Sequence, residues 1–132
     1  MKFTEEMEQK LHAHIDEMRE AYLEEWKRVA AQPSVSAQNI GVEECCSLLT
    51  SLFGGLGLKT KILESPTKPA IYAELRSKRE DAPTVLFYGH YDVQPPEPLE
   101  LWHTEPFQPT VKDGRLYGRG TADNKGQFMA HV

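Results

Sequence analysis

Three residues near the carboxyl end of this chain have types and spacing suited to hydrolytic metal chemistry: His90, Asp92 and Asp123. His90 and Asp92 follow the apolar run Val85-Leu86-Phe87-Tyr88-Gly89. In an extended segment, residues two apart point to the same side, roughly 7 Å apart at about 3.4 Å per residue. Open α/β sheets place ligands beyond the carboxyl ends of their strands, and this pair stands at such an end. Imidazole is a common nitrogen ligand for zinc and needs a partner on its second ring nitrogen. Asp92 has two readings here: that partner, or a group orienting a neighbouring base. A solvated loop pair is the plain alternative. Asp123 lies within Gly118-Arg119-Gly120-Thr121-Ala122-Asp123-Asn124-Lys125-Gly126, where glycines imply unusual backbone or close packing. A carboxylate so held suits a bridge between two metal ions. Equally, Asp123 can cap the helix that follows, which by residue type is its more ordinary role.

Other candidates fall away. Gly118-x-Gly120 lacks the spacing of a dinucleotide loop, and no Gly-Lys-Ser/Thr is present. His12 and His14 are two apart on a helix and face different ways. His103 and His131 stand alone, Trp102 and Phe107 read as core or pocket rim, and no Ser or Cys sits in a nucleophile elbow.

The positioning elements can be read from periodicity. From Thr4 to about Ala31, Met7, Leu11, Ile15, Met18, Tyr22, Trp26 and Val29 recur at steps of three and four, one face of a long helix. Thr4 is its expected N-cap and Pro33 its stop. Ser34-Val35-Ser36 reads as a connection. A second helix is expected over 38–53, ended by Gly54, Gly55 and Gly57. Strands are expected over 58–63, 70–75 and 84–88; the last is apolar on both faces and reads as central. Asp113-Gly114 predicts a tight hairpin, and helix resumes from Asn124. The fold class implied is α/β, with a mixed central sheet flanked by helices.

With 132 residues, 39% hydrophobic and 27% charged, the chain fits one globular domain. A net charge of −5 argues against nucleic acid or an anionic membrane as main partner. No apolar run is long enough for a transmembrane helix, and Met1-Lys2-Phe3-Thr4-Glu5-Glu6 lacks the apolar core of a signal peptide. Cys45 and Cys46 are expected as reduced thiols on a helix, which points to a cytoplasmic location.

Taken together, residues 84–126 resemble the cocatalytic zinc peptidases and deacylases: carnosinase-type dipeptidases, aminoacylases, acetylornithine deacetylase, succinyl-diaminopimelate desuccinylase and glutamate-releasing carboxypeptidases. The likeness rests on Gly89-His90-x-Asp92-Val93-x-Pro95, then Trp102 and Pro106-Phe107, then Asp113-Gly114-x-Leu116-Tyr117-Gly118-Arg119-Gly120-x-x-Asp123-x-Lys125-Gly126. Asp92-Val93-Gln94-Pro95 looks most like the dipeptidase branch, and Pro33-Ser34-Val35-Ser36 is similar to the family's start. The resemblance implies that His90 binds one zinc, that Asp123 bridges two, and that Asp92 orients a catalytic Glu which activates water. It also implies a cis peptide between Asp123 and Asn124. Zinc is the implied metal, with cobalt or manganese as alternatives.

The family's Glu base, further acidic ligands and distant His have no counterpart in this sequence. Residues 1–132 are therefore expected to be the N-terminal part of a zinc-exopeptidase-like catalytic domain, without the dimerisation domain and inactive alone. The complete enzyme would be a homodimer acting on dipeptides or N-acyl amino acids. The alternative from another class is a non-catalytic α/β binding or assembly module.

Overall fold

The computed structural model describes residues 3–132; Met1 and Lys2, part of the stretch read against a signal peptide, lie outside the described residues. Helix α1 runs Glu5–Ala31. The Thr4 hydroxyl accepts from the Met7 N–H at 3.3 Å, and Glu5, Glu6 and Glu8 in the first turn oppose Arg28 in the last, in line with the helix dipole. Only the far end of its apolar stripe is covered. Val29 and Ala30 are fully buried, whereas Leu11, Ile15 and Tyr22 remain about half exposed, because α1 meets the rest of the molecule at its C-terminal end.

The second helix begins later than the periodicity suggests. Between the two helices the chain turns on itself: Val35 and Ile40 exchange backbone hydrogen bonds around a short 3-10 turn, Ser36–Gln38. Gly41 then caps α2, Val42–Gly55, with φ +67 and no room for a side chain against the Pro33 carbonyl. Val42, Cys45, Cys46 and Leu49 form its buried face. The helix closes in a Schellman motif: Leu58 N–H donates to the Phe53 carbonyl and Gly57 N–H to that of Gly54, each at 3.0 Å.

Strands β1, Lys59–Leu63, and β2, Ala70–Glu74, pair antiparallel with Ile62 opposite Ile71. Strands β3, Thr110–Lys112, and β4, Arg115–Tyr117, form the expected hairpin. Asp113 at φ 51 and Gly114 at φ 71 both take the left-handed region that a type I′ turn demands. Helix α3, Lys125–Met129, ends the order of elements. The α/β class is as the sequence implies.

The third strand is not formed. Residues 84–88 pair with nothing among the described residues, and Leu86 and Tyr88 are 83% and 89% exposed. An extended segment becomes a strand only when neighbours satisfy its backbone. Here the four strands satisfy one another as two separate antiparallel pairs.

The core is built from α2 against the end of α1. Val29, Cys45 and Leu49 are buried together, with Ile71, Tyr91, Phe128 and Met129 packed around them. Both cysteines are free thiols on α2, as expected, and burial pushes the Cys45 thiol above its ordinary pKa.

Candidate metal and catalytic site

The segment read as a plain connection is what holds the His90 loop. Ser34 Oγ donates to the Tyr91 carbonyl at 2.6 Å, and Val93 N–H returns a bond to the Ser34 carbonyl at 2.9 Å. Val35 and Val93 form a parallel bridge. Ser36 Oγ then donates to Asp92 Oδ2 at 2.6 Å. Backbone pairing thus presents Ser36 to the carboxylate. Ser36→Ala is expected to cost about 1 kcal/mol, below the roughly 1.5–3 kcal/mol of a bond to a charged group because the site is partly exposed. Urea unfolding would measure it, and an unchanged midpoint would count against a structural role for this bond.

His90, Asp92 and Asp123 do meet. His90 Nδ1 faces the Asp92 carbonyl at 3.0 Å and Asp92 Oδ1 at 3.1 Å. His90 Nε2 faces Asp123 Oδ1 at 3.1 Å. The imidazole is therefore held between two carboxylates. Partial burial works against a charged ring, but the Asp92 carbonyl and then the Asp123 and Asp92 carboxylates outweigh it, holding His90 above its ordinary pKa.

Asp123 is not a helix cap. Asn124 occupies the position before α3 and makes no capping bond there. Its Oδ1 instead accepts from the His90 N–H at 3.1 Å, tying the Gly-rich turn to the His90 loop. The carboxylate of Asp123 stays 80% exposed. The Asp123–Asn124 peptide is cis, as the resemblance implies. His90, Asp92, Asp123 and Arg119 line a depression of about 230 Å³. Arg119 stacks over the Trp102 ring at 5.0 Å and donates to the Pro95 carbonyl at 3.1 Å, so it clamps the Pro-rich loop beside the site.

The other histidines stand apart from the site. His14 contacts Tyr22, and His131 stacks on Phe87 with ring centroids 4.4 Å apart. Ser36 and Asn124 are the residues that sequence reasoning missed. The alternation Ser34-x-Ser36 beside an His-x-Asp of the same period was the available signal for the first; nothing local marked the second.

The donor set suits a divalent metal in part. At metal–ligand distances of about 2.0–2.1 Å, two ligands of a tetrahedral ion stand about 3.3 Å apart. The Nε2 and Oδ1 atoms, 3.1 Å apart, are nearly at that separation already. Asp92 supplies the partner that a ligating imidazole needs on its other nitrogen. Among the described residues no group of three His, Cys, Asp or Glu side chains is placed to complete a shell. No helix among them is long and apolar enough to cross a membrane.

Comparison with known proteins gives this chain a family and relatives. Residues 86–132 match the model of peptidase family M20/M25/M40. A succinyl-diaminopimelate desuccinylase of Acidovorax ebreus is 38% identical over 115 residues, 80% of this chain and 29% of that protein. The Beta-Ala-His dipeptidase of Mus musculus is 51% identical over 67 residues, 51% of this chain and 13% of that protein. Among solved structures, human carnosine dipeptidase 1 superposes with a TM-score of 0.84 at 32% identity, covering 92% of this chain and 29% of that one. An M20 family metallo-carboxypeptidase of Sulfolobus solfataricus gives 0.77 at 35% identity, covering 83% and 25%. The chain thus spans less than a third of the length of these relatives. Sequence motif, fold and the convergence of His90, Asp92 and Asp123 agree that the chain belongs to peptidase family M20/M25/M40.

Proposed function

We propose that this chain contributes His90 and Asp123 as metal ligands, and Asp92 as the group that orients His90, to a hydrolase acting on dipeptides or N-acyl amino acids. The observation that carries this reading is the 3.1 Å approach of His90 Nε2 to Asp123 Oδ1, with Asp92 on the opposite ring nitrogen. When bound, a divalent ion would supply Lewis-acid polarisation of the scissile carbonyl and a water nucleophile at neutral pH. Zinc fits one imidazole and one carboxylate, and cobalt and manganese fit the same donors. Asp92 accepts from His90 Nδ1 and so directs Nε2 toward Asp123. Asp123, exposed and uncapped, has its second oxygen free for a second ion, which is the basis for reading the site as dinuclear. Residues 1–132 are read as one part of the catalytic domain, and the Glu base and remaining ligands as contributed from outside them. The assembly as a homodimer belongs to the same reading.

The test is hydrolysis of a dipeptide and an N-succinyl amino acid by a protein carrying this chain within the full length of its relatives. Chelator should abolish activity and added zinc restore it. His90→Ala and Asp123→Ala should each abolish it too. Undiminished turnover in either variant would sink the proposal.

A further inference from the structure

Lys125 is the one charged side chain in the molecule's interior among the described residues, with no exposed surface at all. Its Nζ donates to two backbone carbonyls at the C-terminal end of α1: Val29 at 3.2 Å and Gln32 at 2.5 Å. Those carbonyls have no helical partners and carry the negative end of the helix dipole. Lys125 therefore completes α1 from the far end of the chain. It also follows directly on the two residues that touch His90. Asn124 Oδ1 accepts from the His90 N–H, and Asp123 Oδ1 stands 3.1 Å from His90 Nε2. The turn bearing Asp123 is thus held at one side by the His90 backbone and at the other by α1.

We propose that Lys125 is a positioning residue: its anchorage on the α1 terminus sets where Asp123 stands relative to His90. This rests on the metal-site reading above for its functional meaning, but not for its geometry. Replacing Lys125 by an apolar group of similar length removes the cost of burying an ammonium but leaves the Val29 and Gln32 carbonyls without their donor. A residue kept only to hold the core together would therefore lose stability on becoming Met while leaving the folded His90 loop as it was. A residue kept to aim Asp123 would lose the site while keeping the fold.

The experiment uses the 132-residue chain, metal-free and with Co(II) as the probe ion. Lys125→Met is compared with the parent by thermal unfolding, by hydrogen exchange at the His90 amide, and by Co(II) titration followed by absorbance. The expected result is a folded variant whose unfolding midpoint lies below the parent's, because two carbonyls lose their donor. His90 amide protection should fall about tenfold, and Co(II) affinity by roughly 10–100-fold, the usual effect of losing an outer-shell support. A folded Lys125→Met variant with parental amide protection overturns the proposal. If the parent itself binds no Co(II) through His90 and Asp123, these two ligands do not hold an ion without those contributed from outside residues 1–132, and amide protection alone decides the anchor. Should Lys125→Met fail to fold, Lys125→Gln takes its place. If that variant is also unfolded, Lys125 serves core integrity only and the proposal is overturned.

Discussion

Gly126→Ala is expected to destabilise the chain by about 3 kcal/mol and to displace Asp123, at the upper end of what overpacking costs. A Cβ at Gly126 would penetrate the Thr121 carbonyl oxygen and stand 3.0 Å from its carbon and 2.9 Å from Trp26 Cζ2. The first obstacle is backbone and the second a large ring on α1, so neither yields by a rotamer change. Relief requires α3 to move off α1, and Asp123 lies only three residues upstream. The control carries the opposite sign. Gly54, near the end of α2, has nothing within 4 Å of its would-be Cβ. Gly54→Ala should therefore be neutral or stabilise by about 0.5 kcal/mol through the unfolded chain. Urea midpoints of the two variants measured side by side decide the matter, and equal midpoints would show that α3 yields where close packing says it cannot.

A second large effect is expected from pH. Both ring nitrogens of His90 face oxygen acceptors, so the metal-free ring is held in its protonated form to a higher pH than a free imidazole. A metal ion needs Nε2 without its proton, so proton and metal compete for one edge of the ring. Below the raised pKa of His90, affinity should fall about tenfold per pH unit; above it, the dependence on this group should vanish. The sign for stability of the metal-free chain is set by the same shift. A raised folded-state pKa contributes stability that is fully present below the unfolded value and is lost as pH rises through the folded one. The metal-free chain should thus gain from acidification at this residue while the metal-loaded chain loses. Calorimetric titration in two buffers of different ionisation enthalpy counts the protons released. Release of none at pH values below the His90 transition would mean that the ion binds elsewhere.

Much of the frame was legible because its signals are local. Thr4 and Pro33 bound α1 by backbone rules that need no tertiary context, and Asp113-Gly114 has the residues that a type I′ turn requires. The start of α2 was not legible, because the Val35–Ile40 bridge and the Pro33 carbonyl against Gly41 exist only once the chain has folded back. The segment 84–88 misled for a related reason. Apolar residues on both faces describe what a strand would bury, but pairing depends on where partner strands lie. At the site, residue types singled out His90, Asp92 and Asp123. Their supports were less visible. Ser36 and Asn124 are ordinary polar residues whose roles depend on partners 56 and 34 positions away.

Those separations carry a consequence for how the chain folds. Lys125 meets Val29 across 96 residues, Ser36 meets Asp92 across 56, and His90 meets Asn124 across 34. None of these bonds can form by local collapse. Each closes a loop whose entropy must be lost before the contact repays it. The His90–Asp123 pocket is therefore the seam where both ends of the sequence are drawn shut, while α1 and the hairpins can form within their own neighbourhoods. An ion held by both residues would fasten that seam as a cross-link does. It would stabilise the whole chain by an amount that rises with the logarithm of the ion concentration above its Kd, so unfolding itself becomes a gauge of the site.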